Sequence, residues 1–174
     1  MEKLDAYGKE FLTRQTFEGE YVDFEEPSDA NGFTILNIDK IEAMISYIAE
    51  RVDNLFKVKL MKMLWYSDVL DFIENGCSMS GMVYQHEPMG ALPIGHYSLM
   101  NLENLNVKEE MSYNYDTMLH VYPTANMDYS VLDDKEKTIL DKVVEKFVDY
   151  KAKDIIDYMH EEKAYIETNP GEII

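Results

Sequence analysis

Apolar residues fall into helical register from residue 37 onward. Ile38, Ile41, Ile45, Ile48, Val52 and Leu55 recur every three or four positions, with Met44 and Phe56 beside them, so one face is apolar. Asn37 precedes this run and suits the N-cap, where a side-chain oxygen takes up a free backbone N–H. A second helix is predicted over about 57–74, its core side holding Leu60, Met61, Leu64, Trp65, Leu70 and Ile73. Asn75-Gly76 ends it, because glycine enters the left-handed conformation without steric cost.

The period is lost over residues 77–100, where Gly, Pro, Ser and Met mix. Residues 82–86 read as a short strand and 88–93 as a turn. A second strand-like run, 117–122, stops at Pro123 and is expected to pair with the first. A short helix suits residues 94–105. Asp133-Asp134-Lys135-Glu136 then opens another helix, its acids complementing the positive end of the helix dipole. Ile139, Leu140, Val143, Val144, Phe147 and Val148 form its buried face. After a break near Asp149-Tyr150, Ala152, Ile155, Ile156 and Met159 begin a helix leading into His160. These helices are expected to pack on those of 38–74, with Trp65 between them.

Before residue 32 the pattern fails. Phe11, Leu12, Phe17, Tyr21, Val22 and Phe24 are scattered among acids, and residues 27–32 are turn formers. Residues 1–31 therefore read as an acidic N-terminal arm, extended or partly helical and ordered where its aromatics dock. Residues 32–174 read as the domain. The fold class is mainly α, a compact helical domain with a small β-hairpin or short sheet.

Charge sharpens this picture. The chain carries 34 acidic and 16 basic side chains, a net charge of −18. Residues 1–36 hold nine acids against three bases, and 76–132 hold six against one. Such a surface repels phosphates, which excludes direct nucleic-acid binding, and it attracts a basic partner. No apolar run reaches the roughly 18 residues that span a bilayer, so no membrane contact is expected. The first residues lack a signal peptide, and a single Cys77 makes no internal disulfide; both suit the cytoplasm.

Candidate chemistry is sparse. His86, His96, His120 and His160 are dispersed, and Ala164 stands where a zinc-protease motif beginning at His160 needs its second His. No metal is expected. Cys77, Ser78 and Ser80 have no local base, and Gly76, Gly81 and Gly90 fit no phosphate loop. Neither an enzyme nor a cofactor is expected. Thirteen Tyr and twelve Met supply adaptable contact area, most of it suited to the core. Tyr84, His86 and Met89, on the Gly/Pro-rich loop, are the candidate partner-binding residues.

Several stretches resemble the Panacea domain, also called SocA-like. Residues 41–50 are similar to its first helix. The run Phe56 to Asp68 matches its Lys-Leu-x-Lys-Leu-Leu-aromatic-aromatic pattern ending in Asp. Gly76 with residues 80–84 resembles the following loop and strand. Residues 85–93 resemble its Pro-aromatic-Gly-Pro-Val-Pro turn, with Met89 in place of the aromatic and Ala91 in place of a Pro. His160-Glu161-Glu162, Ala164-Tyr165 and Gly171-Glu172-Ile173-Ile174 match its tail. The resemblance implies an antitoxin from a phage or mobile-element toxin–antitoxin pair, which silences a cognate protein toxin by binding it. It also implies that a SocA-type member delivers its toxin to a protease or the protease's unfoldase. Trp65, His160 and Tyr165 are then structural anchors. Many relatives carry a helix-turn-helix before this domain; residues 1–31 are too short and too acidic for one. A second copy of the chain stays open as a partner. The competing reading, from charge, is an acidic DNA mimic or phage counter-defence protein that occludes a nucleic-acid-binding partner.

Overall fold

A helix that is apolar around most of its circumference has to lie inside the molecule, and the stretch Lys57–Asn75 does. The computed structural model describes residues 2–174. Their elements run α1 (Glu2–Gly19), α2 (Ile38–Arg51), α3 (Lys57–Asn75), β1 (Tyr84–Glu87), β2 (Gly90–Pro93), α4 (His96–Leu99), β3 (Asn106–Met111), β4 (Thr117–Tyr122), α5 (Asp134–Phe147), α6 (Ala152–His160) and α7 (Lys163–Ile166). The fold is mainly α with two small antiparallel sheets.

Helix α3 is the axis. It touches α2, α5, α6, β2 and β4, and Leu60, Met61, Met63 and Leu64 are fully buried. Trp65 is only 4% exposed; it faces Val143 and Phe147 on one side and Met82 and Ile174 on the other. Ile73, expected on the core side, is 70% exposed, because the last turn of α3 runs out of the layer and residues 72–76 all face solvent. Val148 is likewise exposed, one residue past the end of α5.

The helix ends follow local chemistry. Asn37 Oδ1 accepts the Lys40 N–H at 3.1 Å, and Gly76 closes α3 at φ +91°. At α5, Asp133 accepts the Glu136 N–H (2.8 Å) while Glu136 accepts the Asp133 N–H (2.9 Å), a reciprocal capping box. Lys40 also binds Glu136, tying α2 to α5.

The strand pairing differs from expectation. Residues 82–86 do not pair with 117–122. Strand β1 pairs with β2, Tyr84 opposite Pro93 and Glu87 opposite Gly90, and β4 pairs with β3. Both are hairpins between chain neighbours, which close at far less entropic cost than a pairing across thirty residues. Strand β3 escaped notice because Asn106-Val107-Lys108-Glu109-Glu110-Met111 is mostly polar, half of it charged, and lies on an exposed edge.

The segment before residue 32 is helical over most of its length. Met1 lies outside the described residues. Phe17 is fully buried and meets the Tyr21 ring edge-on at 5.3 Å, and the Tyr21 hydroxyl donates to the Ile94 carbonyl at 2.9 Å. Gly95 makes room for this: a Cβ there would meet Glu20 at 2.8 Å and Phe17 at 3.3 Å. Tyr7, Phe11 and Leu12 remain exposed.

Candidate functional site

Three polar residues of the α3 pattern point inward. Lys59 Nζ donates to the carbonyls of Val148 (3.0 Å) and Tyr150 (2.6 Å), holding the turn between α5 and α6. Lys62, fully buried, donates to the Ala91 carbonyl at 2.9 Å; burial pulls its ammonium down to about 8. Asp68 accepts the N–H groups of Met79 (3.0 Å) and Ser80 (2.8 Å), the Ser80 hydroxyl (2.5 Å) and the Tyr84 hydroxyl (2.6 Å). Burial still pushes its carboxyl up to about 6, against the opposing pull of those donors. Sequence reasoning gave these residues only as a pattern; polar residues on the core side of an apolar helix were the signal of their role.

The candidate contact residues sit at the β1–β2 hairpin. Tyr84 and His86, expected at the surface, are 4% and 7% exposed. The cause is distant in sequence. The chain terminus runs along the open edge of β1, with Gly171 N–H bonded to the His86 carbonyl (2.8 Å), His86 N–H to Glu172 (2.8 Å) and Ile174 N–H to Tyr84 (3.0 Å). Met89, at the tip, is 49% exposed.

Behind the tip the Tyr165 ring is stacked between His86 (3.8 Å) and His160 (4.6 Å). The Tyr165 hydroxyl donates to the Glu87 carbonyl at 2.9 Å, and His160 Nε2 donates to Pro88 at 3.1 Å. His86 Nδ1 lies 2.8 Å from the Thr168 hydroxyl. His160 and Tyr165 thus hold the hairpin turn to α6 and α7, whereas His96 and His120 lie elsewhere, on α4 and β4.

Two clefts flank this frame. An apolar groove of about 310 Å³ between α3 and α5 is lined by Trp65, Tyr66, Ile73, Val143, Phe147 and Tyr158. A polar cleft of about 440 Å³ lies where α1 and α2 meet the chain after β4, lined by Glu10, Arg14, Asp39, Glu42, Asn104 and Asp128 among others. Burial raises the Glu42 carboxyl, with Arg14 acting the other way. Among the described residues no group of three or more His, Cys, Asp or Glu is arranged to hold a metal, and no helix is long and apolar enough to cross a membrane.

A family model described as "Antitoxin SocA-like, Panacea domain" matches residues 60–165, more than half of the chain. The chain belongs to this family. No curated protein and no solved structure matches it. The Panacea match opens on α3 and closes at Tyr165, so it takes in Lys62, Asp68 and the whole stack of His86, Tyr165 and His160.

Proposed function

We propose that this protein is an antitoxin that silences a cognate protein toxin by direct contact, without catalysing a reaction. Family membership carries the reading. The internal geometry supports it: the polar residues of the α3 pattern are occupied in holding loops and hairpin, which leaves the surface as the instrument. The net charge of −18 favours a basic toxin and disfavours direct nucleic-acid contact. The protein acts in the cytoplasm and uses neither cofactor nor metal.

Met89 is the member of the expected contact trio whose side chain is free to meet the toxin. The acidic segment 1–31 acts chiefly by steering. Binding occludes the toxin, and in a SocA-type role it also presents the toxin to a protease or its unfoldase. The same charge favours a second reading, an acidic mimic of DNA that covers a nucleic-acid-binding partner. Expressing the gene beside this one, alone and with it, tests the antitoxin reading. Growth arrest by the neighbour and rescue by this protein are expected; a harmless neighbour, or arrest that persists, overturns it. Toxin half-life in the rescued cells separates occlusion (unchanged) from delivery to proteolysis (shortened).

A further inference from the structure

The polar cleft beside α1 carries an inference that rests on the reading of this protein as one that binds a basic partner. Four carboxylates line it, from Glu10, Asp39, Glu42 and Asp128, against one guanidinium, Arg14. Arg14 Nη2 bonds Asp39 and reaches Glu42 at 3.3 Å, and Asn104 donates to Glu10 and Glu42, each at 3.3 Å. Asp128 accepts the Ser130 N–H at 2.9 Å. One cation cannot balance four anions, so negative charge is left over in a concave, partly desolvated site.

A second observation points to a ligand. Glu42 is only 4% exposed, and its Oε1 has no hydrogen-bond partner; Arg14 Nε makes no hydrogen bond either, although it lies 3.8 Å from Glu10 Oε1. A buried carboxylate oxygen left unmet costs stability until a donor arrives. The rim adds a third. On α1 positions 7, 10, 11 and 14 share one face. Exposed Tyr7 and Phe11 therefore stand beside cleft-lining Glu10 and Arg14.

We propose that this cleft is a socket for an arginine side chain presented by the protein partner. A guanidinium offers five donors in a rigid fork, enough to meet Glu42 and a second carboxylate together. Its flat face stacks on aromatic rings such as those at the rim. The cleft is large enough to admit it beside Arg14. Lysine, a compact and strongly hydrated charge, satisfies the carboxylates less well.

The test uses the full chain, isotopically labelled, titrated with acetyl-Gly-Arg-Gly-amide and followed by amide shifts in NMR. Peptides with citrulline or lysine in place of arginine are the comparison. Saturable shifts confined to residues 10–14, 39–42, 104 and 124–128 are expected. Citrulline should bind at least about tenfold more weakly and lysine a few-fold more weakly. Glu42→Gln with Asp39→Asn should weaken the arginine peptide by about tenfold or more, while Glu145→Gln on exposed α5 leaves it unchanged. If the double variant melts early, Asp39→Asn alone, on a side chain 64% exposed, serves instead. Shifts spread over the whole acidic surface, equal binding of citrulline, or indifference to these substitutions overturn the socket. No toxin is needed, so the socket and the antitoxin reading can fail separately.

Discussion

Asp68 concentrates the physics of the core in one side chain. It accepts four hydrogen bonds, yet removal from water outweighs them and its carboxyl titrates near 6 instead of 3.8. The folded chain therefore holds this proton more tightly than the unfolded chain does. Stability from this group is full below pH 4 and is lost as pH rises to about 6, by about 3 kcal/mol in all. Asp68→Asn removes that dependence. Urea denaturation of both proteins from pH 4 to 7 should show a stability difference that drifts by this amount; a constant difference would refute the assignment. Trp65→Ala, which empties a buried site between α3, α5 and the chain terminus, should cost about 3–5 kcal/mol and lower the melting temperature. A fully stable variant would place Trp65 outside the core. At this scale the sequence was legible where a residue's neighbours lie on its own helix. It misplaced Tyr84 and His86 because what covers them, residues 171–174, arrives from more than eighty positions away. Glu42 went unnoticed among so many exposed acids, although its place on a helix of buried isoleucines was a signal.

Elements differ in how much of their own information they carry. Helices α2 and α5 announce themselves through an apolar stripe and an N-cap, α3 through its long apolar run and Gly76, and their ends fall close to Asn37, Gly76 and Asp133 as the residues dictate. Helix α1 does not, since among its described side chains Phe17 is the fully buried hydrophobic one, and a single anchor makes no period. The hairpins are too short to show one: β1 and β2 have four residues each, and their turn depends on Gly90 at φ +101°, where a Cβ would meet Met159 Sδ at 2.6 Å. The terminal segment is the least legible, being tied to β1 by one isolated bridge, Gln85 opposite Ile173, and three backbone bonds. Those bonds set its worth. Ending the chain after Pro170 should cost about 2–4 kcal/mol, at roughly 1 kcal/mol per bond plus the burial of Ile174. Hydrogen exchange at the His86 amide, whose acceptor is the Glu172 carbonyl, should accelerate in step. Unchanged exchange there would show that the segment merely lies on the hairpin.

For the molecule as a whole, charge decides how a partner is met and packing decides how it is kept. The acids before residue 32 are mostly solvent-facing, but the segment cannot be removed to test them, because Phe17 and Tyr21 are part of the core. Neutralising Asp5, Glu18, Asp23 and Glu25, all exposed, leaves those anchors in place. With the rescued toxin as partner, association of this variant should be several-fold slower at low salt and equal to the parent's near 0.5 M, where the Debye length falls to about 4 Å. Dissociation should change by less than about twofold, since steering charges act before contact. Faster dissociation at unchanged association would mean that these acids touch the toxin directly. The parent protein's own salt dependence then separates the two readings of its charge. A DNA mimic replaces a row of phosphates with carboxylates, so its affinity should fall steeply and log-linearly with salt, dissociation included. An antitoxin gripping through Met89 and a socketed arginine loses on-rate while its dissociation stays nearly flat, because pairs shielded from solvent are screened far less.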